Sequence, residues 1–138
     1  KSYRKTTLKN KEFIKEIKIP IFKNCIFKCY KVSKRFDDDI SSVFVAFLLK
    51  LKKNLIIDIN IAFGGMAATP KLAYKTQNFL IGKKFNYNNI NKSKKIIEND
   101  FNPLSDMRAS SHYRNIVSQN LLERFYLEVK NKRSETIN

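Results

Sequence analysis

Ser42-Val43-Phe44-Val45-Ala46-Phe47-Leu48-Leu49-Lys50-Leu51 is the longest apolar run in the chain, and the fold turns on whether it is strand or helix. Alanine, leucine and lysine are good helix formers, so helix is the competing reading. Val43, Val45, Phe47, Leu49 and Leu51 stand against Phe44, Ala46 and Leu48, however, and a run that is apolar on both sides reads as a central strand covered on both faces. Its neighbours agree with strand. Lys52-Lys53-Asn54 turns the chain into Leu55 to Phe63, where Ile57, Ile59, Ile61 and Phe63 alternate with Ile56, Asp58, Asn60 and Ala62, as in a half-covered strand. Upstream, Ile26 to Lys34 is a further strand with Tyr30 and Val32 on one face and Cys29 and Lys31 on the other. Before it, Phe13, Lys15, Ile17, Ile19 and Ile21 share one side of a strand that Pro20 places at an end or an edge.

Between the strands at 26–34 and 42–51 lies Lys31-Val32-Ser33-Lys34-Arg35-Phe36-Asp37-Asp38-Asp39-Ile40-Ser41, bases set against three consecutive acids. Adjacent carboxylates repel, and Lys31, Lys34 and Arg35 offset them. The block belongs at one mouth of the sheet, and on composition alone it is a solvated turn. Past Phe63, Gly64-Gly65 breaks the strand, because paired glycines permit close approach of a neighbour. The period then changes to 3.6. Thr69-Pro70 caps a helix of about three turns that Gly82 stops, with Leu72, Thr76, Phe79 and Leu80 inward. Asn88 and Asn89 precede a second helix carrying Ile90, Ile96, Ile97 and Phe101, ended by Asn102-Pro103. Ser110 or Ser111 caps the longest helix, where Tyr113, Val117, Leu121, Phe125 and Val129, flanked by Ile116 and Leu122, form its apolar face. Strands first and helices after give an α+β fold: an antiparallel sheet of three to four strands followed by three helices packed on one face.

A chain of 138 residues is one domain with a real core. It begins at Lys1 and has no signal region and no span of about 18 or more uncharged apolar residues, so the expectation is a soluble cytoplasmic fragment of a longer polypeptide with no membrane partner. The net charge of +16 raises nucleic acid as a partner. Its distribution argues otherwise: lysines outnumber arginines 22 to 6, lie scattered from Lys1 to Lys132, and accompany only three glycines and no RNA-binding signature, so specific nucleic-acid binding is not expected. Salt-sensitive adhesion to polyanions is.

The reactive residues read mostly as structural. On a strand Cys25 and Cys29 would lie roughly 13 Å apart, too far for a disulfide, and with one histidine in the chain they cannot complete a four-ligand metal site. His112, beside Ser110 and Ser111, is a capping or surface residue. Asp37-Asp38-Asp39 alternates in direction on an extended segment and lacks a phosphate-cradling loop, which argues against a magnesium site. Gly64-Gly65 lacks the third glycine of a dinucleotide fingerprint.

The block Lys31 to Ser41, the run Ile61-Ala62-Phe63-Gly64-Gly65-Met66-Ala67-Ala68-Thr69-Pro70, the run Phe101-Asn102-Pro103-Leu104-Ser105-Asp106-Met107-Arg108-Ala109-Ser110, and the opening Tyr3-Arg4-Lys5-Thr6 with Glu12-Phe13-Ile14 and Ile17-Lys18-Ile19-Pro20 occur in one order. Together they resemble the C-terminal part of the flavin-binding region of xanthine dehydrogenase, which in bacteria belongs to the small, FAD-binding subunit. The resemblance divides the chain into residues 1–22, leading in from an FAD-binding domain; 23–130, similar to the C-terminal domain of CO dehydrogenase flavoproteins; and a polar tail, 131–138. It implies that Lys31 and Ile14 contact flavin adenine dinucleotide (FAD), and that the loop Arg35 to Asp39, Asp38 included, runs beside the isoalloxazine ring. Phe36 departs from the more polar residue of vertebrate members. Asp106 and Arg108 are expected to hold the last two helices together.

The resemblance further implies a partial FAD site, completed by upstream segments that bear the glycine-rich pyrophosphate loops. Iron-sulfur clusters and the molybdenum cofactor belong to other domains, and a molybdenum-cofactor subunit is a partner. The implied function is one wall of the flavin site in electron transfer from iron-sulfur clusters to NAD, the isolated chain being inactive and a weak binder of FAD. The competing readings are a truncated, non-catalytic docking module and a basic nucleic-acid binder.

Overall fold

The computed structural model describes residues 5–35 and 40–131. Strands β1 (Ile26–Val32), β2 (Val43–Lys52), β3 (Leu55–Gly64) and β4 (Lys71–Leu72) form one antiparallel sheet in the order β1-β2-β3-β4. Helices α1 (Tyr74–Leu80), α2 (Tyr87–Ile97) and α3 (Ser111–Asn131) follow and pack on one face. α3 lies across β1 and β2, α1 against β3, and α2 rests on the other two helices. The long apolar run is therefore strand, and the α+β class follows from it.

Lys53 and Asn54 both have positive φ, the conformation of a two-residue hairpin turn whose twist matches that of the flanking strands. Lys50 pairs with Asp58 but Leu51 pairs with Ile56, so Ile57 bulges out of the ladder. This moves the inward side chain. Ile56 is buried and Ile57 exposed, the reverse of the strict alternation expected from the sequence. Beyond the bulge Ile59, Ile61 and Phe63 point inward as expected. The core centres on Phe47, whose ring stacks on Phe125 of α3 at 4.3 Å and 6° and meets Tyr30 and Phe63 edge-on.

β2 is covered on one face only. Phe44 and Lys50 are exposed and Ala46 and Leu48 half-buried, while Val43, Val45, Phe47 and Leu49 are fully buried. The expectation of cover on both sides fails for the described residues, because all three helices choose the same side. The expected strand at 13–21 is also absent: residues 12–22 have no regular secondary structure and belong to no ladder.

α1 is shorter than expected. Lys71 and Leu72 pair with Phe63 and Ala62 to extend the sheet, and Ala73 donates its N–H to the Ile61 carbonyl at 2.9 Å, so Thr69-Pro70 caps nothing. The helix then starts at Tyr74, and its free amides are met from a distance by the buried Asp100 carboxylate. That carboxylate accepts from Lys75 N at 2.7 Å, Thr76 N at 3.0 Å and Thr76 Oγ1 at 2.6 Å. The Gln77 side chain reaches back to accept from the Ile61 N–H at 3.0 Å. Gly82, with φ +79°, ends the helix as expected.

Asn88 and Asn89 lie inside α2 rather than before it. Asn86, extended at φ −139°, is the cap, accepting from Asn89 N at 3.0 Å. In α3, Ser110 Oγ caps Tyr113 N at 3.1 Å. The buried stripe of α3 is Arg114, Ser118, Leu121, Leu122 and Phe125; Tyr113 and Ile116, expected inside, are exposed, because the first turn faces the loops at the sheet's end through Arg114. Among the described residues no helix is long and apolar enough to cross a membrane.

Candidate functional site

The side of the sheet away from the helices carries rows set by register. Phe27, Leu48 and Asn60 form one; Cys29, Ala46, Ala62 and Leu72 the next; Lys31, Phe44 and Gly64 the last, at the mouth where β1 ends and β2 begins. Lys31 is exposed on this open face, opposite the buried Tyr30. Ile14 lies in the unpaired segment before β1, largely exposed. Asp38, with the rest of the run Phe36 to Asp39, falls outside the described residues. Cys25 is half-buried, and Cys29 is exposed on the open face; both thiols are free.

Among the described residues, two clefts open at this mouth. The larger, about 630 Å³, runs between Ile40, Phe44, the loop from Gly64 to Pro70, and Leu104. The second, about 430 Å³, lies between Ser33, Lys34, Met107 and Tyr113. Asp106 and Arg108 line both.

What shapes the mouth is Arg114, a residue the sequence reading passed over. Only 3% exposed, it donates from Nη1 to the carbonyls of Ser42 and, at 2.9 Å, Gly65, and from Nη2 to Asp106 Oδ1 at 2.7 Å. The start of β2, the turn after β3 and the loop before α3 thus meet on one guanidinium, whose planar fork suits three acceptors. The Gly64-Gly65 pair fits this arrangement. Gly65 has φ +81°, and a Cβ there would stand 2.4 Å from the Ser42 carbonyl oxygen and 3.0 Å from Arg114 Nη1. A signal existed in the sequence: Arg114 falls four and seven residues before Ser118 and Leu121, on the inward stripe.

Asp106 serves the loop rather than the helix pair. Its Oδ1 also accepts the N–H of Arg108 at 2.8 Å and of Ala109 at 3.1 Å, and Arg108 pairs with its Oδ2 at 3.6 Å. The Arg108 amide, then that of Ala109 and the Arg114 guanidinium, hold the carboxyl below its ordinary range against some desolvation. Lys34 Nζ donates to the Met107 carbonyl at 2.7 Å and Ser42 Oγ to the Arg108 carbonyl at 3.2 Å, so the loop is tied to the sheet. The last two helices are joined elsewhere, where Glu123 accepts from Lys94 at 2.5 Å and from Tyr87 at 3.2 Å.

β1 is fastened to α3 by Glu128, which accepts from Tyr30 at 2.9 Å and Arg124 at 2.8 Å and lies 3.5 Å from Lys28. Burial of the phenol, then its bond to Glu128, raises the Tyr30 pKa.

The mouth offers a cation at the rim, an apolar floor at Phe44 and small residues at Gly64, Ala46 and Ala62, which can lie against a flat ring. Among the described residues no glycine-rich phosphate cradle accompanies it and no group of three or more His, Cys, Asp or Glu could hold a metal ion. His112, in the first turn of α3, is exposed. The chemistry on offer is electrostatic and steric.

The chain belongs to the CO dehydrogenase flavoprotein C-terminal domain family, whose sequence profile matches residues 28–129. It is 35% identical over 126 residues to the glyceraldehyde dehydrogenase medium chain of Sulfolobus acidocaldarius, covering 90% of this chain and 44% of that one. It is 32% identical over 134 residues to the xanthine dehydrogenase of Emericella nidulans, covering 94% of this chain and 10% of the relative. Over 91 residues it is 38% identical to a nicotinate hydroxylase of the same organism, covering 62% of this chain and 7% of the relative. The fold is similar to that of carbon monoxide dehydrogenase from Hydrogenophaga pseudoflava, with TM-score 0.69 and 17% identity over 75% of this chain and 36% of that one. Quinoline 2-oxidoreductase from Pseudomonas putida 86 is as similar, with TM-score 0.67 and 19% identity over the same shares. The chain thus spans less than half the length of the relatives it matches.

Proposed function

We propose that this chain is the closing lobe of the flavin-binding part of a molybdenum hydroxylase of the xanthine dehydrogenase type. It sets one wall of an FAD site whose phosphate cradle lies on another stretch of polypeptide. The observation that carries this reading is the uncovered face of β2, apolar where water would favour polar residues, with Lys31 at its rim. Bound flavin would supply the redox centre between iron-sulfur clusters and NAD. Lys31 would hold positive charge near the ring, Phe44 and the small residues would exclude water from one side, and Ile14 would approach from the segment that precedes the lobe. Relatives named for glyceraldehyde, nicotinate and xanthine share this lobe, which fits a part that touches flavin rather than substrate.

The test uses FAD with the chain alone, and with a chimera in which this chain replaces the matching part of the Sulfolobus medium chain. The expected result is no tight yellow complex with the chain alone, FAD retained by the chimera, and roughly tenfold weaker retention for Lys31→Gln, equivalent to one charge-assisted contact. Stoichiometric FAD binding by the isolated chain would overturn the one-wall reading. A Lys31→Gln chimera that binds FAD as tightly as its parent would remove Lys31 from the site.

A further inference from the structure

Phe13-Ile14-Lys15-Glu16-Ile17-Lys18-Ile19-Pro20-Ile21-Phe22 has the alternation of a half-covered strand and pairs with nothing in the sheet. Its six large apolar residues, Phe13, Ile14, Ile17, Ile19, Ile21 and Phe22, are 57–92% exposed. Only Lys23 to Cys25 separate it from β1, a length that hairpin loops use, yet it does not lie along β1.

A segment of this kind cannot bury its side chains by packing alone. Its backbone N–H and C=O groups would lose water at the same time, and an extended chain satisfies them by pairing with another strand. The segment lies outside the domain and is shared with a relative. The family profile begins at residue 28, so it leaves the segment outside the domain. The match to the Sulfolobus medium chain covers 90% of this chain, more than residues 28 to 138 can supply, and so reaches into the segment. The segment is therefore aligned in that relative although it precedes the domain.

We propose that residues 13–21 add as an edge strand to a β-sheet in the polypeptide that completes the flavin site, fastening this lobe to it through the backbone. The inference rests on the proposed function for the identity of that partner. Pro20 sets the side. In a strand, alternate residues present their N–H and C=O groups to opposite edges, and a proline belongs on the unpaired one. The backbone groups of Ile14, Glu16, Lys18 and Pro20 then point to the unpaired edge, and the ladder is made by those of Lys15, Ile17 and Ile19.

Amide hydrogen exchange, read residue by residue by NMR, tests this in the chain alone and in the chimera. The amides of Lys15, Ile17 and Ile19 should exchange freely in the chain alone and slow by about a hundredfold or more in the chimera, while Glu16 and Lys18 stay fast. Ile17→Pro, which removes a pairing N–H, should abolish the protection, and Lys18→Pro should leave it. A chimera that holds FAD while these amides stay unprotected overturns the strand addition and leaves the flavin reading standing. Protection without FAD does the opposite. Protection already present in the chain alone, or a chimera with neither property, overturns the inference.

Discussion

Replacing Arg114 by methionine removes a cation that ties β2, the Gly65 turn and the loop before α3 together. Hydrogen bonds to a charged group contribute about 1.5–3 kcal/mol each, so a simple sum over three would be several kcal/mol. That sum overshoots. Asp106 is 40% exposed and regains water when its partner leaves, whereas Ser42 and its carbonyl have no such route. The methionine fills most of the volume but leaves the buried Ser42 carbonyl unpaired, while the carbonyl of the exposed Gly65 regains water, and the expected cost is about 3 kcal/mol, the low end of the range for breaking a buried charge cluster. With a urea m-value of about 1.5 kcal/mol/M, the midpoint should fall by about 2 M. Arg114→Lys should recover less than half of this, since one ammonium cannot reach three acceptors in a plane. Asp106→Asn should cost only about 1 kcal/mol. A midpoint for Arg114→Met within about 0.3 M of the parent, equivalent to roughly 0.5 kcal/mol, would refute the view that this guanidinium holds the mouth together.

Gly65→Ala should destabilise by about 2–3 kcal/mol in the same assay, because a Cβ would meet the Ser42 carbonyl at a backbone angle that disfavours side chains; Gly82→Ala, where nothing lies within 4 Å, should cost about 1 kcal/mol. Phe47→Ala should cost about 3–5 kcal/mol through the cavity left under Phe125, and Phe44→Ala, three residues earlier on the open face, less than about 1 kcal/mol; equal losses would mean that both faces are covered in the isolated chain. The carboxyls of Asp106, Glu123 and Glu128 are all held below their ordinary range: Asp106 chiefly by the Arg108 amide, Glu123 by Lys94, and Glu128 by Arg124 and Tyr30 against its own burial. A depressed folded value stabilises above the ordinary carboxyl pKa of about 4 and is lost as pH falls through the lower folded value, so urea midpoints should hold from pH 7 to 5 and drop steeply below about pH 4. Glu128→Gln should flatten that acid limb, and an unchanged slope would count against its role.

The order of elements was legible because it rests on local patterns. The period of two in Leu55 to Phe63, the period near four in α3 and the turn residues at Lys53-Asn54 and Gly82 each report the chain's own geometry, and helices that follow strands pack back onto the sheet. Lys31 could be placed opposite Tyr30 by counting along one strand. Distant partners were not legible in this way. Asp100 replaces a local cap for α1, the bulge at Ile57 exchanges Ile56 for its neighbour in the core, and Lys71-Leu72 joins the sheet because the edge of β3 has unmet backbone groups there. Arg114 looked like one more cation in a basic chain until three acceptors from separate elements converged on it.

By itself the sequence determined the order of the three long strands and the three helices and that one sheet would carry the core, because periodicity acts over a few residues and hydrophobic burial follows it. Only the tertiary structure decided which face of β2 the helices would take, and that Phe13 to Ile21 would find no strand beside it. Those outcomes depend on which surfaces compete for the same apolar area once the chain has closed on itself, and that competition is settled between elements far apart in the chain.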